Sequence, residues 1–481
     1  MLGKFLKKEF NPKSIALFVV LIGVLMAAID TTIVILALPT IDLKLNTSPL
    51  TSMWIILAYI LILAVFSSQV GKIGDLFGRA KLYKYGLIVF ILGSALCGLS
   101  PNIFVLIGSR IIQAFGGVLI GTLSSAVIAD HFEPNKRGKA FGYTAIGWNF
   151  GAILGIFLGG FLTTIDWRWI FFINIPIGAI VIPIAIYKLH DVVKPQKENF
   201  DYIGIITLSI GLLLLTISAV FSMFEGLSLH EIVLFLVAAF VFVIFIVLEK
   251  RSKFPILDFS LFKKRIFSFS ILASMFQGIA SFAILFILIL YLQGLRGLNP
   301  FVSSLYLLPG YAIGGIISPI MGRLSDRIGA RIPATIGLLC IILAYSLYFV
   351  FLNPTTPLYY IAIITLFSGL GSSMFYPANI SAIMAHAPKD KYSVASGLNR
   401  MLGNIGMLFS FIIALTVISS VIPRNTAFAI FLGSSISLTP TQSLSFLKGI
   451  QTVFLSSIII IFIAVIMSAV RGKEDRRNIK E

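Results

Sequence analysis

Charged residues are scarce in this 481-residue chain. Asp, Glu, Lys and Arg make up 12% of it, against about 25% in a typical soluble protein. Apolar residues make up 58%, and the mean hydropathy is +1.02. This balance excludes an ordinary water-soluble globular protein and indicates a membrane protein. The apolar runs also lack the period-two alternation of outer-membrane strands, so we expect an all-α integral membrane protein.

Cysteine and histidine are also scarce. The two cysteines, Cys97 and Cys340, lie in apolar runs, where we expect inert buried thiols that say nothing about the redox compartment. The four histidines lie at span ends or in loops without ligand spacing. The chain has no H-E-x-x-H motif, no paired membrane aspartates and no nucleophile–base–acid set. We therefore expect no metal, no cofactor and no enzymatic activity.

Long apolar runs recur along the whole chain, and each could cross a hydrocarbon layer of ~30 Å as a helix. The first run is too long for a signal peptide and is expected to stay uncleaved. The fourteen predicted spans lie near 15–38, 51–70, 82–100, 103–129, 140–163, 169–187, 202–222, 231–248, 266–292, 302–321, 333–352, 358–384, 394–418 and 448–470.

The basic residues indicate topology. The net charge of +18 could suggest a nucleic-acid partner. However, with the N-terminus set in the cytoplasm, 30 of the 37 Lys and Arg fall on the inner side, 5 fall outside, and Arg110 and Arg400 lie within spans. This is the positive-inside pattern. We expect a multi-pass plasma-membrane protein with both termini in the cytoplasm and no nucleic-acid partner.

An internal repeat divides the chain. The loop Gly71–Lys81, "GKIGDLFGRAK", follows the second span, and Gly322–Arg331, "GRLSDRIGAR", follows the tenth. The offset from Asp75 to Asp326 is 251, as is the offset between the starts of the first and ninth spans. The pattern predicts six-helix bundles at 1–190 and 266–481, with two additional helices and linkers at 191–265. Parallel six-helix halves are typical of transporters with a solute site between them.

Four segments resemble a known family over nearly the full chain. They are the loop "GKIGDLFGRAK" and the segments "DTTIVILALP" (Asp30–Pro39), "SRIIQAFGG" (Ser109–Gly117) and "WRWIFFINIPIG" (Trp167–Gly178). Together they resemble the fourteen-span drug:proton antiporter branch of the major facilitator superfamily. The resemblance implies a major-facilitator-type fold that moves a small molecule against protons by alternating access, and we expect a monomer in the lipid bilayer.

The sequence departs from the family pattern in two places. The family's antiporter motif reads G-x-x-x-G-P-x-x-G-G, and "GAILGIFLGG" keeps its glycines for close helix packing but has Ile156 for proline. This change leaves the direction of transport open. The tenth span also lacks the acid that some relatives carry there. The glycines of the packing motif are Gly151, Gly155, Gly159 and Gly160.

Asp30 is the one acid well inside a span. A charged carboxylate there costs at least ~2.5–3.5 kcal/mol, so it must be protonated, paired or facing water. Taking span ends near Leu38 and Asn102, Asp30 and Arg110 each lie about 12 Å below the outer edge. The resemblance implies neighbouring first and fourth helices and links Arg110 to proton coupling. We predict an Asp30–Arg110 pocket, which Gln113 and Asn149 would complete.

The cargo surface is less specific in the sequence. Most of the 42 Phe are expected to face lipid or neighbouring helices. A few aromatic side chains could attract flat lipophilic cations through their ring faces. The candidates for such a cavity are Trp54, Tyr59, Trp148 and Tyr376.

The loop after the second span is the predicted gate. Gly71, Gly74 and Gly78 allow tight turns and close approach of helices. The resemblance implies that Asp75 faces the N-terminus of the thirteenth helix near Ser393. It also implies that Arg79 reaches Asp130, and that Asp326 and Arg331 mirror this arrangement less completely. The long outer segment 419–447 is expected to be either a cap or a loose loop.

The favoured function is proton-coupled export of lipophilic, cationic or neutral drugs or toxic compounds. Export of an endogenous metabolite, lipid or siderophore is the alternative. A non-transporting membrane sensor is a more distant one, and proton-linked flux would separate it from a transporter.

Overall fold

The computed structural model describes residues 11–47, 49–192, 201–225, 228–252, 259–298, 300–422 and 440–472. These ranges contain no strand and hold fourteen helices long and apolar enough to cross a membrane, which confirms the predicted all-α membrane fold. In chain order they are α1 Pro12–Leu45, α2 Pro49–Phe77, α3 Arg79–Gly98, α4 Ile103–His131, α5 Arg137–Ile165, α6 Asn174–Lys188, α7 Tyr202–Glu225, α8 Leu229–Arg251, α9 Arg265–Ile289, α10 Pro300–Ile328, α11 Arg331–Phe351, α12 Leu358–His386, α13 Tyr392–Ser419 and α14 Pro440–Val470.

Shorter elements join or extend these helices. One-turn α-helices span Trp169–Phe172 and Phe259–Phe262, 3₁₀ turns span Pro134–Lys136 and Lys389–Lys391, and α9 continues as a π-helix over Leu290–Leu295. Four helix ends lie seven or more residues beyond the predicted spans: α1 runs on to Leu45, α2 to Phe77 and α10 to Ile328, and α14 already begins at Pro440. The central part of the predicted outer loop, 423–439, lies outside the described residues.

The repeat is visible in the helix packing. Helix α1 packs along α5 and α9 along α13, while α3 packs on α4 and α11 on α12. The loop glycines also correspond, since Gly78 (φ 102°) and Gly329 (φ 91°) are again 251 residues apart. Positive φ favours glycine because a Cβ would clash with the backbone. The same chain reversal is therefore built twice, once in each half.

The two additional helices lie at the edge of this arrangement. Helices α7 and α8 pair with each other, and α7 also contacts α2 and α13. On α8, the side chains of Leu236, Phe240 and Val243 are exposed. An apolar helix that exposes such side chains suits contact with lipid.

The halves meet most closely where α2 crosses α13 and where α5 crosses α10. Small residues allow both crossings. A Cβ on Gly397 would come within 2.6 Å of the Ser67 carbonyl oxygen, and a Cβ on Gly138 would overlap the backbone of Gly322. Both contacts lie toward the end of the bundle where α1 begins and α14 ends, called here the inner end. The inner end is therefore closed.

Candidate functional site

Asp30 and Arg110 form an ion pair inside the first half. The Arg110 Nη1 donates to Asp30 Oδ2 at 2.7 Å, and neither side chain is more than 2% exposed. The Nε of Arg110 also donates to the backbone carbonyl of Ile55 on α2, at 3.2 Å. The site therefore joins α1, α2 and α4 around one buried carboxylate.

Gln113 completes the pocket on the same face of α4. Its Nε2 donates to Asp30 Oδ1 at 2.8 Å and to Ser94 Oγ at 2.6 Å, and its Oε1 accepts from Arg110 Nη1 at 2.6 Å. Asn174 donates to the same Ser94 oxygen at 3.2 Å. Both carboxylate oxygens thus have donors, as a buried charge requires.

Aromatic rings cover the guanidinium. The Arg110 Cζ lies 4.3 Å from the centroid of the Tyr59 ring and 5.8 Å from that of Phe171. Both rings are at most 2% exposed. Cation–π contacts of this kind strengthen when water is excluded.

Glycines on α3 and α4 hold this pocket together. A Cβ on Gly93 would lie 2.5 Å from the backbone nitrogen of Gln113, and one on Gly116 would lie 2.6 Å from the Cα of Phe90. Without these side chains α3 and α4 approach closely, and Ser94 comes within reach of Gln113. Small residues at helix interfaces commonly serve this purpose in membranes.

The sequence anticipated the centre of this pocket but not its whole composition. Asp30, Arg110 and Gln113 come together, although α1 extends seven residues past the assumed end at Leu38. Asn149 does not join them, because its side chain faces α10. Its Nδ2 donates to the Ala145 carbonyl of its own helix at 2.8 Å. Sequence reasoning missed Ser94 and Asn174. Of these two, only Asn174 could have been recognised as a pocket residue, because it is an amide in an apolar segment.

The other cavity candidates divide into two groups. Trp54 packs against Phe221 of α7, with ring centroids 6.4 Å apart, and so lies toward the additional helices. Trp148 contacts the second half, and Tyr376 bonds within the second half. The Arg400 guanidinium is 5.9 Å from the Trp148 ring centroid, and the Tyr376 hydroxyl donates to Gln277 Oε1 at 2.7 Å.

The predicted gate is assembled at the inner end. Asp75 accepts hydrogen bonds from the backbone nitrogens of Ser393 and Val394, both at 3.2 Å, at the N-terminus of α13. Arg79 donates from Nε to Asp75 at 2.8 Å and also pairs with Asp130. The carboxylate of the first half thus meets the positive end of a helix of the second half.

The second repeat builds the mirror contact. Asp326 accepts from the backbone nitrogens of Gly138 and Lys139, each at 2.9 Å, at the N-terminus of α5. Arg331 begins α11, and within the described ranges it forms no ion pair. The mirror therefore keeps a carboxylate of one half at the N-terminus of a helix of the other half.

Two gate residues were not anticipated. Arg137 is buried and donates to the Ala129 carbonyl and to the Tyr392 hydroxyl, both at 2.7 Å. Asp191 accepts from the backbone nitrogens of Ala80 at 2.7 Å and Lys81 at 3.2 Å, at the start of α3. Both had looked like ordinary loop charges, and no local pattern distinguishes them.

The packing motif of α5 is partly used against α1. A Cβ on Gly151 would come within 2.6 Å of the Leu25 carbonyl oxygen, and one on Gly155 would overlap the Thr32 side chain. Gly159 is buried, whereas a Cβ on Gly160 would meet open space. Helix α5 continues without interruption through Ile156.

Fourteen spanning helices with a repeated packing pattern define a polytopic transporter fold. The structure of the proton:xylose symporter XylE bound to 6-bromo-6-deoxy-D-glucose has a TM-score of 0.63 with this chain at 11% identity, covering 94% of this chain and 96% of that one. A sequence model of the Major Facilitator Superfamily matches residues 20–411. The chain belongs to this superfamily, a family of transporters rather than enzymes.

Relatives in this family place the chain more closely. Multidrug resistance protein 3 of Bacillus subtilis (strain 168) is 30% identical over 423 residues, covering 86% of this chain and 82% of the relative. The riboflavin transporter RibZ of Clostridioides difficile (strain 630) is 32% identical over 387 residues, covering 79% and 82%. The drug-efflux branch predicted from the motifs is confirmed.

Proposed function

We propose that this chain is a proton-coupled antiporter that exports lipophilic drugs or toxic compounds across the plasma membrane by alternating access. The observation that carries the proposal is Asp30, a fully buried carboxylate bonded to Arg110 and Gln113. The proposal is also supported by similarity to relatives named multidrug resistance proteins.

The pair provides a physical basis for coupling. In the closed pocket the charges of Asp30 and Arg110 compensate each other, so both are tolerated without water. When the halves rock and water reaches the pocket, the carboxylate can exchange a proton, and the neutral form no longer holds Arg110. A purely architectural role is less favoured, because buried ion pairs are weak net stabilisers.

The experiment uses the purified full chain in proteoliposomes, with rhodamine 123 and fluorescein as transport probes. Asp30→Asn keeps the shape of the side chain and removes its charge and titration. We expect Asp30→Asn to lose pH-driven dye accumulation while retaining dye–dye exchange, which needs no net proton movement. Asp166→Asn, at an exposed acid outside the spans, is the matched control. If Asp30→Asn accumulates dye in response to a pH gradient at the wild-type rate, the coupling role is refuted.

Export of a metabolite is the second candidate, and its limited support is that the relative RibZ is named a riboflavin transporter. A solute panel that includes riboflavin, tested against growth of an exporter-deleted host, separates the two candidates. Resistance to drugs alone supports the first, and export of riboflavin alone supports the second. If no proton-linked flux occurs with any solute, the chain would instead be a sensor.

A further inference from the structure

Arg400 on α13 lies between the two halves of the molecule. Its Nε donates to the carbonyl of Gly121 on α4 at 3.1 Å, and its guanidinium lies 5.9 Å from the ring centroid of Trp148 on α5. It also lies within electrostatic range of the Tyr59 and Tyr376 hydroxyls. A cation of the second half is thus surrounded by four helices drawn from both halves.

The charge of Arg400 is not compensated as that of Arg110 is. In the described part of the chain, no carboxylate lies within ion-pair distance of Arg400. The nearby tyrosines are neutral near pH 7. A guanidinium has five N–H donors, and of these only Nε–H bonds to a described residue. The side chain is also partly exposed.

The position of Arg400 suits a contact with cargo. It is seven residues beyond Ser393 at the closed gate, or ~10 Å along α13. Its partner Gly121 is eleven residues inward of Arg110, or ~16 Å along α4. Arg400 therefore lies between the Asp30 pocket and the gate. Tyr59, whose ring covers Arg110, is near both cations.

We propose that Arg400, Trp148 and Tyr376 form a binding site for a flat aromatic compound that carries an anionic group, such as a carboxylate. This assignment rests on the proposed transport function. The guanidinium donates to the oxygens of the anion, and the rings contact the aromatic face. A cation without a partner carboxylate repels cationic cargo, so the site argues against the cationic class expected from the sequence.

The test compares two dyes that share a xanthene ring, anionic fluorescein and cationic rhodamine 123. Binding to the purified full chain is followed by fluorescence anisotropy at pH 7.5 for wild type, Arg400→Gln and Arg400→Lys. Arg327→Gln is the control, since Arg327 is exposed at the inner end. We expect wild type to prefer fluorescein and Arg400→Gln to lose at least about tenfold in fluorescein affinity, as expected for a charged hydrogen bond.

The two variants and the second dye separate binding from structure. Arg400→Gln should bind rhodamine 123 as well as wild type or better, and Arg400→Lys should bind fluorescein with intermediate affinity, because lysine keeps the charge without the planar donor set. Parallel loss of both dyes would assign Arg400 to holding the halves together and overturn the proposal. A wild-type preference for rhodamine 123 would also overturn it. Arg400-dependent fluorescein binding without pH-driven transport would instead contradict only the antiport function.

Discussion

The carboxylate of Asp75 should hold the inner end closed. It accepts two backbone hydrogen bonds from α13, at Ser393 and Val394, and it is paired with Arg79 on its own side. When the inner end opens, the same carboxylate can be hydrated, so only the difference between the two states matters. Asp75→Ala therefore removes stabilising hydrogen bonds from the closed state and none from the open state.

The magnitude follows from the geometry. Hydrogen bonds to charged groups contribute about 1.5–3 kcal/mol each, and the long donor–acceptor distances of 3.2 Å favour the lower limit. Two such bonds amount to ~3 kcal/mol, or a change of roughly 100-fold in the closed-to-open ratio. Asp75→Asn keeps one acceptor oxygen and should shift the ratio by roughly tenfold.

The assay is a distance distribution between spin labels on the inner ends of the two halves. Lys81 on α3 and Arg327 on α10 are exposed there and suit labelling, with Cys97 and Cys340 replaced by serine. We expect the long-distance population to grow in Asp75→Ala and to grow less in Asp75→Asn. Glu133→Gln, an exposed acid at the same end, is the control. An unchanged distribution in Asp75→Ala would refute the reasoning.

Two further predictions concern packing and pH. Gly155→Val should lower the thermal unfolding temperature in detergent, since its Cβ would overlap the Thr32 side chain and approach the Ile29 carbonyl oxygen to 2.7 Å, and overpacking costs about 1–3 kcal/mol. Gly160→Val meets open space and should unfold like wild type; equal effects of the two variants would contradict this packing. Lys136 and Lys13 lower the pKa of Glu133 from 4.5 to about 2. A lowered carboxyl pKa stabilises the fold at pH values above 4.5, and this contribution is lost only as the pH falls toward 2. Glu133 therefore stays ionised between pH 5 and 8, and Glu133→Gln should leave the pH profile of transport in that range unchanged. A shifted profile would contradict this assignment.

The centre of the candidate site was accessible from the sequence because its signals are local. A lone acid in an apolar run and an arginine in another must find partners, since isolated charges in hydrocarbon are costly. Asp75 and its repeat Asp326 were similarly marked by their loops. Arg400 was visible as a second charge within a span, but the sequence could not show what surrounds it.

The amino-acid sequence by itself determined the number of helices, the twofold repeat and the need of Asp30 and Arg110 for partners, because run length, spacing and the cost of burying charge act along the chain. The tertiary structure decided how each helix is rotated about its axis and which helix it meets. That rotation turned Asn149 toward α10 and Trp54 toward α7, brought Ser94 and Asn174 to the pocket, and placed Arg400 beside Gly121 and Trp148. Helices that are apolar on nearly every face carry little periodic signal for such rotation, so close packing at glycines decides it.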